Sequence, residues 1–211
     1  GPVARPMAEN EAVQLQTAAF SFQAPAGTFR SAMAVRDSVS KRFGIYTAPF
    51  TVTDYSTPVL HLSDIKLSSS IAPTDQTSLF VRNGLYITPY PARMYPQRAP
   101  VFIYYELYNL TLDAQGRTAF LTELQITAKE EQRGSAWRLL ISLGRLITQS
   151  EDDQSVILTF EDAGIKSDEY KYTSIDTSDS PAGAYTLSLT IMDLHSDQKT
   201  TKSVDFVIVK N

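Results

Sequence analysis

Period-two alternation of apolar and polar side chains, recurring from residue 28 to residue 209, is the feature that most restricts how this chain can fold. In "AYTLSLTIMD" (184–193), Tyr185, Leu187, Leu189 and Ile191 share one face of an extended strand, because successive side chains point to opposite sides. The stretches "TFRSAMAVRD" (28–37), "FGIYTAPFTVTD" (43–54), "TPVLHLSDIKL" (57–67), "VFIYYELYNLTL" (101–112) and "RTAFLTELQITA" (117–128) read the same way. So do "SVILTFE" (155–161), "EYKYTSID" (169–176) and "TKSVDFVIV" (201–209), and "TAAFSFQ" (17–23) predicts one strand more. Only "SAWRLLISLGRLI" (135–147) offers a helical stripe, through Trp137, Leu140, Ile141 and Leu143, and its surroundings favour one or two strands. Many short strands broken by turn residues imply a sandwich rather than a parallel sheet with crossover helices.

Local signals refine this. Asn83-Gly84, inside "SLFVRNGLYITP" (78–89), predicts a tight hairpin. Three prolines in "YPARMYPQRAP" (90–100) exclude a central strand and leave a loop or an edge crossing. Residues 101–112 and 117–128, flanking the turn "DAQG", predict another hairpin.

The two ends of the chain resemble each other. "PAGTFRSAMAVRD" (25–37) and "PAGAYTLSLTIMD" (181–193) share Pro-Ala-Gly, an aromatic two residues after the Gly, and a closing Asp. The same offset of 156 carries Asp37 to Asp193 and Phe50 to Phe206. Phe29, Ser31, Met33 and Val35 therefore answer to Tyr185, Leu187, Leu189 and Ile191, and Ala48, Phe50 and Val52 to Val204, Phe206 and Ile208. That layout fits the last hairpin of an immunoglobulin-like sandwich. The expected architecture is all-β. Residues 15–56 are read as the closing strands of one immunoglobulin-like sandwich, and residues 57–211 as a complete second one. A partial sandwich exposes an apolar face and unpaired edges. Residues 15–54 are accordingly expected to pack on the second domain or to self-associate with another copy.

Bulk composition sets the outer bounds. A chain of 211 residues, 43% hydrophobic and 20% charged, has room for one large all-β domain or about one and a half of ordinary size. The net charge of −4, with basic residues scattered, argues against nucleic-acid binding. No apolar run approaches the roughly 20 residues of a membrane-spanning helix. The absence of cysteine excludes disulfides, thiolate metal sites and cysteine nucleophiles. Residues 1–14 are polar and patternless, a flexible lead or the remnant of a longer segment. The opening Gly1-Pro2 looks like a protease-cleavage scar, so a missing signal peptide says nothing of compartment.

"PAGTFRSAMAVRDSVSKRFG", "FTVTD", "LHLSDIKLSSSI", "FVRNGLYITPYPARMY", "VFIYYELYNL" and "SIDTSDSPAGAYTLSLTIMDLHS", taken in order, resemble the C-terminal region of bacterial GWxTD-domain proteins. The likeness covers nearly everything after residue 17. The tetrapeptide that names the family is absent, and the single tryptophan, Trp137, sits in "SAWRLL". The resemblance implies immunoglobulin-like modules of a larger secreted or envelope-associated protein, hence an extracytoplasmic location.

Candidate chemistry is sparse. His61 and His195 are the only histidines, and no Gly-x-Ser-x-Gly elbow accompanies them. Glu106 and Glu123, on one predicted hairpin, form a carboxylate pair of the kind glycosidases use, or else ordinary surface residues, one of them paired with Arg117 or Arg82. "EDDQ" (151–154) and "DTSDS" (176–180) offer oxygen ligands without EF-hand spacing, so no metal or cofactor is expected. Asn109-Leu110-Thr111 matches a glycosylation sequon by pattern alone. The most unusual feature is tyrosine: six fall between residues 86 and 108. If Val101, Ile103, Tyr105 and Leu107 face a core, then Phe102, Tyr104, Glu106 and Tyr108 face outward, with Glu123 beside them. Such a face suits a neighbouring domain, a protein partner or a carbohydrate. The expected function is a non-catalytic structural or protein-binding module, with a carbohydrate-binding module as the alternative.

Overall fold

The computed structural model describes residues 19–129, 140–141, 147–149, 155–178 and 180–210, the short segments 140–141 and 147–149 as backbone only. The lead at 1–14, Trp137, Leu143 and the acidic stretch 151–154 lie outside them. Every regular element among the described residues is a strand.

The chain opens with β1 (Gly27–Arg36) and β2 (Phe43–Val52), an antiparallel pair that forms a sheet by itself. Next come β3 (His61–Leu62), β4 (Lys66–Pro73), β5 (Val81–Arg82), β6 (Leu85–Pro89), β7 (Met94–Pro96), β8 (Val101–Tyr108) and β9 (Thr118–Ala128). Then follow β10 (Leu140–Ile141), β11 (Ile147–Gln149), β12 (Ser155–Gly164), β13 (Glu169–Asp176), β14 (Gly183–Asp193) and β15 (Lys199–Val209). One sheet runs β10-β13-β8-β4-β6-β5, with β3 also on β8, and the other runs β11-β12-β9-β14-β15-β7. Among the described residues all ladders are antiparallel except β7 on β15.

The two larger sheets make a β-sandwich. Val101, Ile103, Tyr105 and Leu107 of β8 face Phe120, Leu124 and Ile126 of β9 and the Tyr185–Ile191 row of β14, all buried. Burying a full row of such side chains contributes about 1.5–3 kcal/mol each. This alternation follows directly from the period-two pattern. The Tyr185 hydroxyl donates to the Pro181 carbonyl at 2.7 Å, pinning the corner where the chain enters β14.

Three sequence-based expectations fail. Residues 19–23 are not a strand. Residues 57–67 do not run as one strand: only β3 and the first two residues of β4 are extended there, because 63–65 break the ladder between them. The third failure is larger: β8 and β9 do not form a hairpin. β8 pairs with β13, β4 and β3, whereas β9 pairs with β12 and β14 in the opposite sheet. Their connection crosses the end of the sandwich and is clamped there. Asn109 takes a left-handed φ of 63°, and its side-chain amide donates to the carbonyls of Tyr55, Thr57 and Val59 at 3.0–3.1 Å. Leu110 is buried beyond it, and the Thr111 amide donates to Asp193 at 2.8 Å. Alternation looks the same in a hairpin and in a crossing of this kind. What separates them is the buried Leu110 and the polar clamps on either side.

The predicted Asn83-Gly84 hairpin is present as β5–β6, with φ of 50° and 74° at its two turn residues, the left-handed pair that a tight hairpin turn needs. Segment 90–100 crosses an edge, where β7 lies along β15.

Candidate functional site

The predicted face is built from one strand that bends. β4 pairs with β8 through Lys66 and Leu67, breaks register between Ser68 and Ser70, and then pairs with β6. Ser68 is fully buried at this bulge, its hydroxyl 2.6 Å from the carbonyls of both Ser70 and Thr88. The bend carries the β5–β6 hairpin over the outer face of β8, where Leu85, Ile87 and Ile71 cover the Tyr104 ring.

Tyr104 and Glu106 therefore differ from expectation. They do point away from the main core, yet Tyr104 is 0% exposed and Glu106 7%. Glu106 is the centre of a closed network. Arg82 grips it with two bonds of 3.2 and 3.3 Å, Tyr104 donates at 2.6 Å, Asn83 donates at 3.3 Å, and the Tyr108 hydroxyl donates to its second oxygen. Asn83 also donates to the Tyr104 oxygen at 2.7 Å. Burial pushes the Glu106 carboxyl up, but the Tyr104 and Tyr108 hydrogen bonds and the Arg82 charge outweigh it and hold the group below its ordinary range. Burial, followed by the hydrogen bond to this carboxylate, raises both tyrosine hydroxyls well above theirs.

Phe102 and Tyr108 are half-buried on the same face, Tyr108 against the Tyr55 ring at 4.3 Å. Glu123 is elsewhere. It lies on β9 opposite Thr190 and Thr159, on the outer face of the other sheet. Two sheets and the core between them separate it from Glu106, so the two carboxylates cannot share a substrate. Arg82 is the partner that Glu106 takes, while Arg117 pairs with Asp113 at 3.2 Å. His61 is engaged by the Thr57 hydroxyl at 2.8 Å and meets the Tyr55 ring edge-to-face. Asp176, in the former calcium candidate, binds the amide and hydroxyl of Ser178. Among the described residues, no group of three His, Asp or Glu side chains could hold a metal ion, and no helix is long and apolar enough to cross a membrane.

Two tyrosines missed by the sequence reading are exposed beside this face. Tyr170 and Tyr172 of β13 stand opposite Glu106 and Tyr104, at 41% and 47% exposure. Tyr170 stacks beside Tyr104 at 6.3 Å and helps wall an open cleft of about 370 Å³ with Arg82, Glu106, Tyr108 and Asp168. Their alternation in "EYKYTSID" was visible. What was not visible was that β13, rather than β9, is the neighbour of β8.

The second candidate surface is the β1–β2 pair. Its register is that of β14–β15 shifted by 156 throughout: Phe29 faces Phe50 as Tyr185 faces Phe206. The ring pairs repeat too, both stacked at 5.5 Å. So does the turn. Asp37 binds the Val39 amide as Asp193 binds that of His195, and Lys41 and Asp197 have φ of 60° and 57°. The surroundings do not repeat. Tyr185, Leu187, Leu189 and Ile191 are buried, whereas Met33 is 51% exposed and Tyr46, facing it, 70%. Phe22 leans on Phe50, edge-on at 5.5 Å. The expected packing of this hairpin on the sandwich is not what covers its apolar face.

No family model matches this chain, and no curated protein matches it.

Proposed function

We propose that this chain is a non-catalytic structural or protein-binding module of a larger secreted or envelope-associated bacterial protein, and that the β1–β2 hairpin is its docking element. One observation carries the reading. The hairpin repeats the register of β14–β15 pair for pair, and there Leu189 and Ile191 are fully buried, while their counterparts Met33 and Val35 remain open, as does Tyr46 beside Met33. Exposed rows of this kind mark contact sites rather than solvent surface. The resemblance to the GWxTD-domain region and the immunoglobulin-like corner at Tyr185 support the modular, extracytoplasmic setting. The Glu106 network supports a structural role for the β8 face, since Arg82, Asn83, Tyr104 and Tyr108 together fill the bonding capacity of its carboxylate.

A photo-crosslinking residue at Met33, irradiated in a bacterial envelope extract, is expected to give one discrete adduct with an identifiable polypeptide. Tyr46→Lys, which puts a charge opposite Met33 on the same face, is expected to abolish it. No adduct, or one indifferent to Tyr46→Lys, removes the docking role.

A carbohydrate-binding function is the second reading, and Tyr170 and Tyr172 are the observation that favours it. Two exposed rings beside a cleft with Arg82 and Asp168 suit stacking against a sugar with polar contacts at its rim. Glycan-array signals lost in Tyr170→Ala and Tyr172→Ala would support it, and silence of the unaltered protein would end it.

A further inference from the structure

We propose that the outer edge of β1 accepts a separate polypeptide as an antiparallel strand, and that the strand it selects alternates apolar with acidic residues. This rests on the docking role proposed above and specifies its geometry and its partner's chemistry.

The backbone polarity of β1 follows from its turn. The Asp37 amide donates to the Arg42 carbonyl at 2.8 Å, so Asp37 and every second residue before it direct their N–H and C=O groups at β2. Thr28, Arg30, Ala32, Ala34 and Arg36 direct theirs the other way, where no strand among the described residues pairs with them. The equivalent residues of β14 follow the same rule. The Ala184 carbonyl accepts from Lys129 and the Leu194 amide donates to Ala119, both at 2.9 Å, on the side where β9 lies. β9 is thus a template for what β1 lacks. It sets Ala128, Ile126, Leu124 and Thr122 opposite Tyr185, Leu187, Leu189 and Ile191. Shifted by 156, those places fall opposite Phe29, Ser31, Met33 and Val35, and a strand there would cover the exposed row.

The other edge of the hairpin is closed to this use. Pro49 sits on β2 at a position whose backbone faces outward, opposite Arg30, and it has no N–H to offer. β1 carries neither proline nor bulge over its ten residues.

Charge selects the occupant. Between residues 27 and 52 the hairpin has Arg30, Arg36, Lys41 and Arg42 against Asp37 alone, a net +3 on a chain whose total is −4. Arg30 and Arg36 lie on the strand that offers the open edge. A second copy would bring another +3 to it, and like charges across a sheet repel. An acidic strand is attracted by the same residues that discourage self-pairing.

The test uses a synthetic peptide of the β9 sequence, TAFLTELQITA, extended by two glutamates at each end, added to the whole purified protein. Amide exchange at Arg30, Ala32 and Ala34, followed by NMR, should slow by at least tenfold, with little change at Met33 and Val35. Ala32→Pro, which deletes an edge N–H and no β2 bond, should abolish the effect, and Ala34→Pro repeats the test at a second position. A lysine-extended peptide of the same core should bind at least tenfold more weakly. Absence of edge protection overturns the proposal, as does equal binding of the two peptides. A dimer of the protein alone that dissociates on Ala32→Pro overturns it in favour of a second copy. If the Met33 crosslink forms while the edge amides stay unprotected, the docking role stands and strand addition falls.

Discussion

Glu106 is held by five donors from Arg82, Asn83, Tyr104 and Tyr108, so its worth depends on its charge. Glu106→Gln keeps the shape, removes the charge and turns an acceptor into a donor. It should cost about 1–3 kcal/mol in urea unfolding at pH 7. The pH dependence has a definite sign. The folded carboxyl is depressed below the ordinary 4.5, so its stabilisation is complete above pH 4.5 and is lost as pH falls through the folded value. Unfolding midpoints measured from pH 6 downward should show a drop in the unaltered protein that is smaller in Glu106→Gln. Nearly all of this network was in view at the level of composition: tyrosines, a glutamate and an arginine candidate. Its burial was not, because the cover comes from the β5–β6 hairpin. That hairpin reaches Tyr104 only through the bulge at Ser68, which no pattern in "KLSSSIAP" announces.

At the level of elements, strands were easier to read than their partners. The rows of β1, β8, β9, β14 and β15 follow directly from alternation, and the β5–β6 turn from Asn83-Gly84. Alternation tells which face is buried but not which strand lies alongside, so the β8–β9 connection was misread as a hairpin and Glu123 was set beside Glu106. The two Asp-capped turns test how context changes one turn geometry built from different residues. Asp193 is buried and binds the amides of Thr111 and His195 and the Ser196 hydroxyl. Asp193→Ala should cost about 2–3 kcal/mol by thermal or urea unfolding, since it strands buried donors. Asp37 binds the Val39 and Ser40 amides in solvent, and Asp37→Ala should leave the unfolding midpoint of the sandwich unchanged.

The whole molecule sets a buried hairpin beside its open counterpart, and matched substitutions measure the difference. Leu189→Ala removes a fully buried side chain from between two sheets and should cost about 2–5 kcal/mol. Met33→Ala, 156 residues earlier, should fall within about 0.5 kcal/mol in the isolated protein. Native-state hydrogen exchange should agree, with β14 amides opening only on global unfolding and β1 amides opening far sooner. Equal costs, or equal protection, would mean that the front hairpin shares the core. The amino-acid order by itself determined the all-β class, the inward row of each strand, the tight turns and the likeness of the two ends, because these depend on neighbours within about ten residues. Only the tertiary structure decided which strands pair, that Tyr104 and Glu106 are roofed over, and that one of two matching hairpins is left open. Those outcomes depend on contacts between segments far apart in the chain, and a period of two leaves such contacts undetermined.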